Sequence, residues 1–114
     1  MADTAKHTID VKSSTKEITV ILEGAFEEQD TQIFVKDFNN EMGKINPSEY
    51  EILFDASRFK VLKQEMIPVL ESCFKIYKAL DFKKIKMILG NPILNMQVNR
   101  VARMAELHDF SIIG

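Results

Sequence analysis

The chain alternates between strand-like and helix-like segments along almost its whole length, which predicts an α/β fold. Two features carry this prediction: apolar runs rich in β-branched residues recur, and amphipathic stretches with apolar residues every three or four positions separate them. Such alternation builds a sheet of mainly parallel strands with right-handed crossovers. We therefore predict one small, mixed but mainly parallel sheet of about four to five strands with about three helices.

The first third of the chain predicts a β-hairpin followed by a helix. In residues 8–22, apolar and β-branched residues lie on both sides of a Ser-Ser-Thr-Lys turn. The acidic-polar run after Gly24 supplies helix-start chemistry, with Asp30 or Thr31 as the capping residue. The helix should extend to about residue 43, with its apolar stripe facing the sheet.

Residues 50–56 predict the central strand, because Ile-Leu-Phe form the continuous apolar run that is typical of a strand covered on both faces. A connector, residues 57–62, leads into a long helix over residues 64–80. Pro68 is tolerated only in a first turn, which places the start of this helix close to Gln64 or Glu65. The remaining elements are a strand, a helix and a closing strand, predicted at residues 85–89, about 94–107 and 110–113.

Length and composition indicate one domain. A chain of 114 residues with 46% hydrophobic residues suits a single core spanning residues 1–114, and we expect disorder only within residues 1–7. The 15 basic and 17 acidic residues give a net charge of −2, so no global field favours nucleic acid. A lone cysteine excludes an internal disulfide, and no segment resembles a signal peptide or a membrane span. We therefore expect a cytoplasmic protein.

Three segments together resemble the STAS domain, the family shared by anti-sigma factor antagonists and the cytoplasmic tails of sulfate transporters. ITVILEGAFE at residues 18–27 resembles the family's opening strand, and ILFDAS at residues 52–57 resembles its central strand. VNRVARMAEL at residues 98–107 resembles its third helix, and FSII follows at the expected distance. The likeness covers residues 9–113 and depends on the order and spacing of the segments. It implies a regulatory domain whose partner is a protein such as a kinase-like or sigma-pathway regulator.

The chain departs from this family at the phosphorylation site. Antagonists of the family carry Asp-Ser-Ser-Gly or Asp-Ser-Thr-Gly at the start of the second helix, where a kinase phosphorylates the hydroxyl. Here Lys63, Gln64, Glu65 and Met66 occupy those positions, and neither Gln64 nor Glu65 accepts a phosphate. Glu65 is either a first-turn carboxylate favoured by the helix dipole or a permanent charge that resembles the phosphorylated state. In the second case the mimicry is partial, since a carboxylate carries about −1 and a phosphate about −1.5 to −2.

In open α/β sheets, partners and ligands usually bind beyond the carboxyl ends of the strands. The residues that this rule selects as partner-binding candidates are Arg58, Phe59, Lys60, Lys63, Gln64, Glu65, Asn91 and Asn95, with Glu27 at the same edge. Exposed apolar groups beside them would suit a partner surface, and we expect these to be Phe59, Met66 and Ile67.

The chain shows no pattern of a catalytic, metal or cofactor site. Asp55 ends the central strand without a companion base, and His7 and His108 are isolated, with His108 expected to interact with the end of the third helix. We expect Cys73, within an apolar helix face, to be a small buried hydrophobe. The second helix and the following strand are basic, and so is the third helix; the residues are Lys75, Lys78, Lys83, Lys84, Lys86, Arg100 and Arg103. These groups would suit an acidic partner, a lipid head group or RNA, but the balanced charge and the lack of interleaved aromatic residues favour simple solvation. We therefore expect no enzyme activity and no nucleic-acid binding.

The sequence thus predicts a non-catalytic regulatory or adaptor domain that acts through protein contacts around residues 58–65 and Asn91. Two alternatives remain open. One is a binder of a lipid or other apolar small molecule, in a pocket lined by Phe34, Phe38, Phe59, Met66 and Met87. The other is a structural homodimer or assembly subunit that uses the C-terminal edge, because the family commonly adds a helix after the last strand and this sequence ends at Gly114.

Overall fold

The computed structural model describes residues 4–107 and 109–113, which form five strands and three α-helices. In chain order the elements are β1 (Lys6–Lys12), β2 (Glu17–Gly24), α1 (Glu28–Met42), β3 (Glu51–Phe59), α2 (Ile67–Leu80), β4 (Lys84–Leu89), α3 (Pro92–Met104) and β5 (Phe110–Ile112). Short 3-10 turns at Pro47–Glu49 and Gln64–Met66 precede β3 and α2. The predicted α/β fold with a mixed, mainly parallel sheet is confirmed.

The sheet has the strand order β1-β2-β3-β4-β5, with β1 antiparallel to β2 and the other neighbours parallel. Right-handed crossovers that all advance in one direction place their helices on the same face of the sheet. The burial pattern agrees, because alternate residues of β2, β3 and β4 are buried. Two rows of buried side chains cross these strands in register: Ile18, Ile52 and Ile85, then Val20, Phe54 and Met87.

β3 is central, as predicted, since it pairs with both β2 and β4. The prediction that it is covered on both faces is wrong. Ile52 and Phe54 face the helices and are buried, whereas Leu53 and Asp55 face the other side and are only half-buried. A short apolar run does not distinguish these arrangements, because adjacent residues of a strand point to opposite faces whatever covers them.

β3 is also longer than predicted, because it extends to Phe59. After a register shift between Ile21 and Glu23, which leaves the extra residue in β3, Arg58 pairs with Glu23 and Phe59 with Gly24. The backbone N–H of Lys60 then donates to the carbonyl of Gly24 at 3.0 Å. The prediction that the connector begins at residue 57 is therefore wrong, because Ser57, Arg58 and Phe59 belong to the end of the central strand. The polar residues that suggested a connector are tolerated here because this end of the strand is exposed.

The start of α1 lies three or four residues before the predicted one. The helix begins at Glu28, and Glu27 rather than Asp30 or Thr31 occupies the capping position. The Asp30 carboxylate accepts a hydrogen bond from the backbone N–H of Glu27 at 2.9 Å, and the Thr31 hydroxyl donates to the carbonyl of Glu27 at 3.2 Å. Both predicted residues therefore stabilise the helix start from inside the first turn.

α2 begins in two stages. A 3-10 turn occupies Gln64–Met66, and the α-helix starts at Ile67, with Pro68 in its first turn as predicted. The predicted start near Gln64 or Glu65 therefore coincides with the 3-10 turn and precedes the α-helix itself. Tight turns of this kind are frequent at helix N-termini, and the sequence pattern does not separate them from the helix.

Aromatic side chains form the centre of the core. The ring centroid of Phe38 on α1 lies 5.3 to 6.4 Å from the centroids of four other aromatic rings, those of Phe34, Phe54, Tyr77 and Phe82. The predicted buried face of α3 is confirmed, comprising Val98, Val101, Ala102 and Ala105. One layer of helices therefore packs on one sheet face, and the opposite sheet face carries no helix within the described part of the chain.

Cys73 is buried, as predicted, and burial raises the pKa of its thiol to about 11. Lys6 and His7 belong to β1, so the ordered chain includes part of the segment in which we expected disorder. His108, with its expected contact at the end of α3, lies outside the described residues.

Candidate interaction surface

The carboxyl ends of β3 and β4 are held together by a close backbone approach. Gly90 follows β4 directly, and a Cβ atom at this position would lie 2.3 Å from the carbonyl oxygen of Ser57. Only glycine fits this contact without a shift of the backbone. The turn after β4 therefore lies on the end of β3 and places the start of α3 beside it.

Asn91 occupies the capping position of α3. Its side-chain oxygen accepts hydrogen bonds from the backbone N–H groups of Ile93 at 2.7 Å and Leu94 at 3.3 Å. Asn95, one turn later, accepts a hydrogen bond from Asn99 at 2.7 Å. Both were predicted as partner-binding residues, and the structure gives both of them local hydrogen bonds. Capping alone explains the asparagine at position 91.

Gln97 fastens the connector to α3. Its side-chain oxygen accepts a hydrogen bond from the backbone N–H of Leu62 at 3.1 Å, and its side-chain N–H donates to the Leu62 carbonyl at 3.0 Å. The side-chain amide of Gln97 thus satisfies both backbone hydrogen-bonding groups of Leu62, as the backbone of an adjacent β-strand does in a sheet. Sequence reasoning missed Gln97, because nothing in the local pattern links a helical glutamine to a loop 35 residues earlier.

Ion pairs surround the connector. Lys63 Nζ lies 2.8 Å from the carboxylate of Glu27, and Arg58 lies 3.5 Å from the carboxylate of Glu23. The hydrogen bond to Glu27 raises the pKa of Lys63, and the nearby charges of Glu27 and Glu65 act in the same direction. The structure therefore joins Glu27, Lys63 and Arg58 at one edge, as the position of the strand ends predicted.

Gln64 and Glu65 are exposed in the 3-10 turn before α2. Glu65 is the acidic residue in the first turn of the 3-10 segment that runs into α2, whereas α2 itself has no acidic residue in its first turn. The charge of Glu65 is presented on the 3-10 turn, next to Lys63.

The expected exposed apolar residues are mostly covered. Met66 is 4% exposed, Ile67 is half-buried, and the ring of Phe59 packs on Phe26 with centroids 5.2 Å apart. Three other large apolar side chains are exposed at this edge instead: Val61 (40%), Ile93 (57%) and Met96 (72%). Val61 is next to Leu62 in the chain, and Ile93 and Met96 lie within about one turn of Gln97 on α3, so the Gln97 hydrogen bonds connect the two segments that carry these side chains.

We call this region the carboxyl-end surface and define it by its exposed or half-buried members: Arg58, Phe59, Lys60, Val61, Lys63, Gln64, Glu65, Asn91, Ile93, Asn95 and Met96. All eight predicted partner-binding candidates are included, whereas Val61, Ile93 and Met96 are additions from the structure.

Beneath the connector lie two adjacent apolar cavities of about 50 Å³ each. They share five lining residues: Leu22, Phe59, Leu62, Leu70 and Tyr77. Of the pocket residues predicted for the small-molecule alternative, Phe59 lines both cavities, Met87 the first, and Phe34 and Met66 the second, whereas Phe38 lines neither. Pockets for drug-sized ligands have volumes of about 300–1,000 Å³, so each cavity is far smaller.

Two polar pairs are candidate functional groups: His7 with Asp37, and Asp55 with Ser57. His7 Nε2 lies 2.8 Å from an oxygen of Asp37 at a groove between β1 and α1, a pair that the sequence did not reveal. Asp55 accepts hydrogen bonds from the backbone N–H of Ser57 at 3.1 Å and from its hydroxyl at 2.7 Å. Among residues 4–107 and 109–113, no cluster of three or more His, Cys, Asp or Glu side chains could hold a metal ion.

No helix in the described part of the chain has both the length and the apolar character needed to cross a membrane. Comparison with protein-family models and with curated proteins finds no match to this chain.

Proposed function

We propose that this protein is a non-catalytic regulatory or adaptor domain of STAS type that acts by protein–protein interaction through the carboxyl-end surface. The observation that carries the proposal is the exposure of Val61, Ile93 and Met96 on two segments that the hydrogen bonds between Gln97 and Leu62 join. The same region also carries the charged side chains of Arg58 and Lys63. Apolar anchors surrounded by polar groups are the usual anatomy of a protein interface.

The backbone that carries these anchors is held in place before any partner arrives. Gln97 fixes the connector, Asn91 fixes the first turn of α3, and the contact between Gly90 and Ser57 joins the two strand ends. Such preorganisation supports the proposal because it reduces the conformational entropy that a partner has to overcome on binding.

We propose further that partner binding is independent of phosphorylation at the family position. Gln64 and Glu65 stand there, and the 3-10 turn exposes both side chains. The permanent charge of Glu65 then takes part in the interface, and a kinase-like or sigma-pathway regulator would meet a surface whose charge does not switch.

Site-specific photo-crosslinking in the native host tests the proposal. A benzophenone amino acid is placed at Val61 or Met96, and, as a matched control, at Ile33 on α1, which is 51% exposed. We expect positions 61 and 96 to form an adduct with the same protein, identified by mass spectrometry, and position 33 to form none. Lack of any adduct at both 61 and 96 would contradict an interface at this surface.

Charge reversal then tests the role of Lys63 and Glu65, which follow the connector in the chain. Lys63→Glu combined with Glu65→Lys should weaken capture of that crosslinked partner while the circular dichroism spectrum stays unchanged. A second variant, Glu27→Lys with Lys63→Glu, keeps an ion pair between positions 27 and 63 with its polarity reversed. If both variants capture the partner as well as the unmodified protein does, the interface does not include Lys63 and Glu65.

A second candidate function is the binding of an apolar small molecule, which the two adjoining cavities beneath the connector favour. Native mass spectrometry of the purified chain tests it. An added mass of roughly a few hundred daltons would support an enlarged, occupied cavity. The mass of a monomer without ligand would count against this function and support the protein–protein interaction. The mass of a dimer would favour the assembly-subunit alternative.

A further inference from the structure

α3 is apolar on two faces. Its inner face packs in the core, and its outer face exposes Ile93, Met96 and Met104, the last of them 48% exposed. A surface helix that packs on only one side normally carries polar residues on the other. The outer apolar residues of α3 therefore need an explanation that the fold itself does not supply.

The outer residues form one continuous stripe. Positions 93, 96, 100 and 104 follow one another at intervals of three, four and four, so their side chains lie on the same side of the helix. From Ile93 to Met104 the stripe runs for about 16 Å, since each of the 11 steps rises about 1.5 Å. Arg100 lies within it and Arg103 lies on its flank. We call Ile93, Met96, Arg100, Arg103 and Met104 the α3 stripe.

The charge of the α3 stripe has one sign. No Asp or Glu occurs between Pro92 and Met104, and neither Arg100 nor Arg103 forms an ion pair within the residues that the structure describes. The nearest carboxylate along the chain, that of Glu106, lies 3.6 Å from Lys78 Nζ. The two guanidinium groups are thus free to contact carboxylates from outside, where they would form charge-assisted hydrogen bonds.

We propose that the α3 stripe docks an amphipathic helix of a partner protein whose apolar ridge is flanked by Asp and Glu residues. This inference rests on the proposed function and names the chemistry of the partner. A helix of about three turns matches the stripe in length, its apolar ridge covers Ile93, Met96 and Met104, and its carboxylates meet Arg100 and Arg103.

The charges argue against a second copy of this chain as the occupant. An antiparallel pair of α3 helices would bring together the arginines of both copies with no carboxylate from either helix, and like charges at an interface are strongly unfavourable. A lipid surface is also disfavoured, because interfacial helices carry many lysines and arginines beside aromatic anchors, and α3 has two arginines and no aromatic residue.

A display selection tests the proposal with a defined probe. The immobilised full-length protein is screened against a library of helical peptides in which the positions of an apolar ridge and of both flanks are randomised. We expect enriched peptides to carry apolar residues along the ridge and Asp or Glu on the flanks. Selected peptides are then labelled, and their affinity is measured by fluorescence anisotropy. Enrichment of neutral or basic flanks, or recovery of no helical binder, would overturn the proposal.

Variants locate the binding and test its charge. Met96→Asp should weaken binding of the selected acidic peptides roughly tenfold or more, because it removes an apolar anchor. Arg100→Glu with Arg103→Glu should weaken it by a similar factor and improve binding of peptides with Lys in place of each Glu. Ile33→Asp on α1 is the matched control and should leave affinity unchanged. Equal affinity of the double arginine variant for both peptides would refute the charge argument.

Two further measurements separate the alternative occupants. Sedimentation equilibrium that shows a dimer disrupted by Met96→Asp would assign the stripe to a second copy. Flotation with vesicles of anionic phospholipid that depends on Arg100 and Arg103 would assign it to a membrane. Either result overturns the helix proposal. If no peptide binds but photo-crosslinking at Val61 still captures a partner, the proposed function stands and only this inference fails.

Discussion

The side-chain amide of Gln97 pairs with both backbone groups of Leu62, although the two residues are 35 positions apart. This contact joins α3 to the connector and so gives the carboxyl-end surface its shape. A half-buried backbone N–H and C=O would otherwise depend on solvent for their hydrogen bonds.

Gln97→Ala should therefore lower the free energy of unfolding by about 1–3 kcal/mol, because both groups of Leu62 lose their partner. Urea denaturation measures this, and hydrogen exchange of the Leu62 amide should become faster. Asn99→Ala removes an exposed hydrogen bond on the same helix and should cost less than about 0.5 kcal/mol. Equal effects of the two substitutions would show that the Gln97 contact does not hold the connector.

Gly90→Ala should destabilise the fold by about 3 kcal/mol, because the new methyl group would lie 2.3 Å from a backbone oxygen that cannot rotate away. Gly43→Ala is a matched control: its nearest neighbour is 3.4 Å away and its φ of −67° suits any residue. We expect that variant to be stabilised by about 0.4–1 kcal/mol. Thermal unfolding of both variants checks the prediction, and a tolerated alanine at position 90 would refute the close approach.

Phe38→Ala should lower the free energy of unfolding by about 3–5 kcal/mol, because it removes a fully buried ring from the centre of the aromatic cluster. Ile33→Ala lies on the exposed side of the same helix and should change stability by less than about 0.5 kcal/mol. Chemical denaturation of the two variants side by side would separate the loss of packing from the change in helix propensity, which favours alanine at both positions. Similar values for both would contradict the assignment of Phe38 to the core.

Stability should fall as the pH rises above about 9. Burial raises the pKa of Cys73 from 9.0 to about 11 and raises the pKa of Tyr77 well above its usual value of 10.0. Between about pH 9 and pH 11 the Cys73 thiol is deprotonated in the unfolded chain but stays protonated in the folded protein. Rising pH in this range therefore stabilises the unfolded state relative to the folded state. Each such group contributes at most about 1.4 kcal/mol per pH unit.

Unfolding free energies measured at intervals from pH 8 to pH 11, with and without Cys73→Ala, check this expectation. The substitution should reduce the slope above pH 9 and leave most of the part due to Tyr77, because burial is the main cause of the raised pKa of Tyr77. An unchanged slope would mean that the thiol ionises as readily in the folded protein as in the unfolded chain.

The types and order of the elements were predictable from local pattern. Alternation around Ile9 and Val11, the helical spacing of Phe34 and Phe38, and the position of Pro68 each reflect the geometry of one strand or one helix. The predicted partner-binding positions were also gathered at one edge of the sheet, because parallel strands present their carboxyl ends together.

Tertiary structure decided what the local pattern leaves open. Whether Leu53 is covered depends on the faces to which the crossovers carry their helices, and whether Met66 or Met96 is exposed depends on which side of a helix meets the sheet. The hydrogen bonds of Gln97 with Leu62 and the contact of Gly90 with Ser57 join residues far apart in the chain.

By itself, then, the sequence determined the α/β alternation and the buried stripes of α1 and α3, because these depend on periodicities of two and 3.6 residues. Only the tertiary structure decided that the helices all lie on one face of the sheet, that Gln97 forms hydrogen bonds with Leu62, and that the α3 stripe is exposed. The physical reason is that burial and long-range hydrogen bonds are properties of pairs of elements, which no single segment encodes.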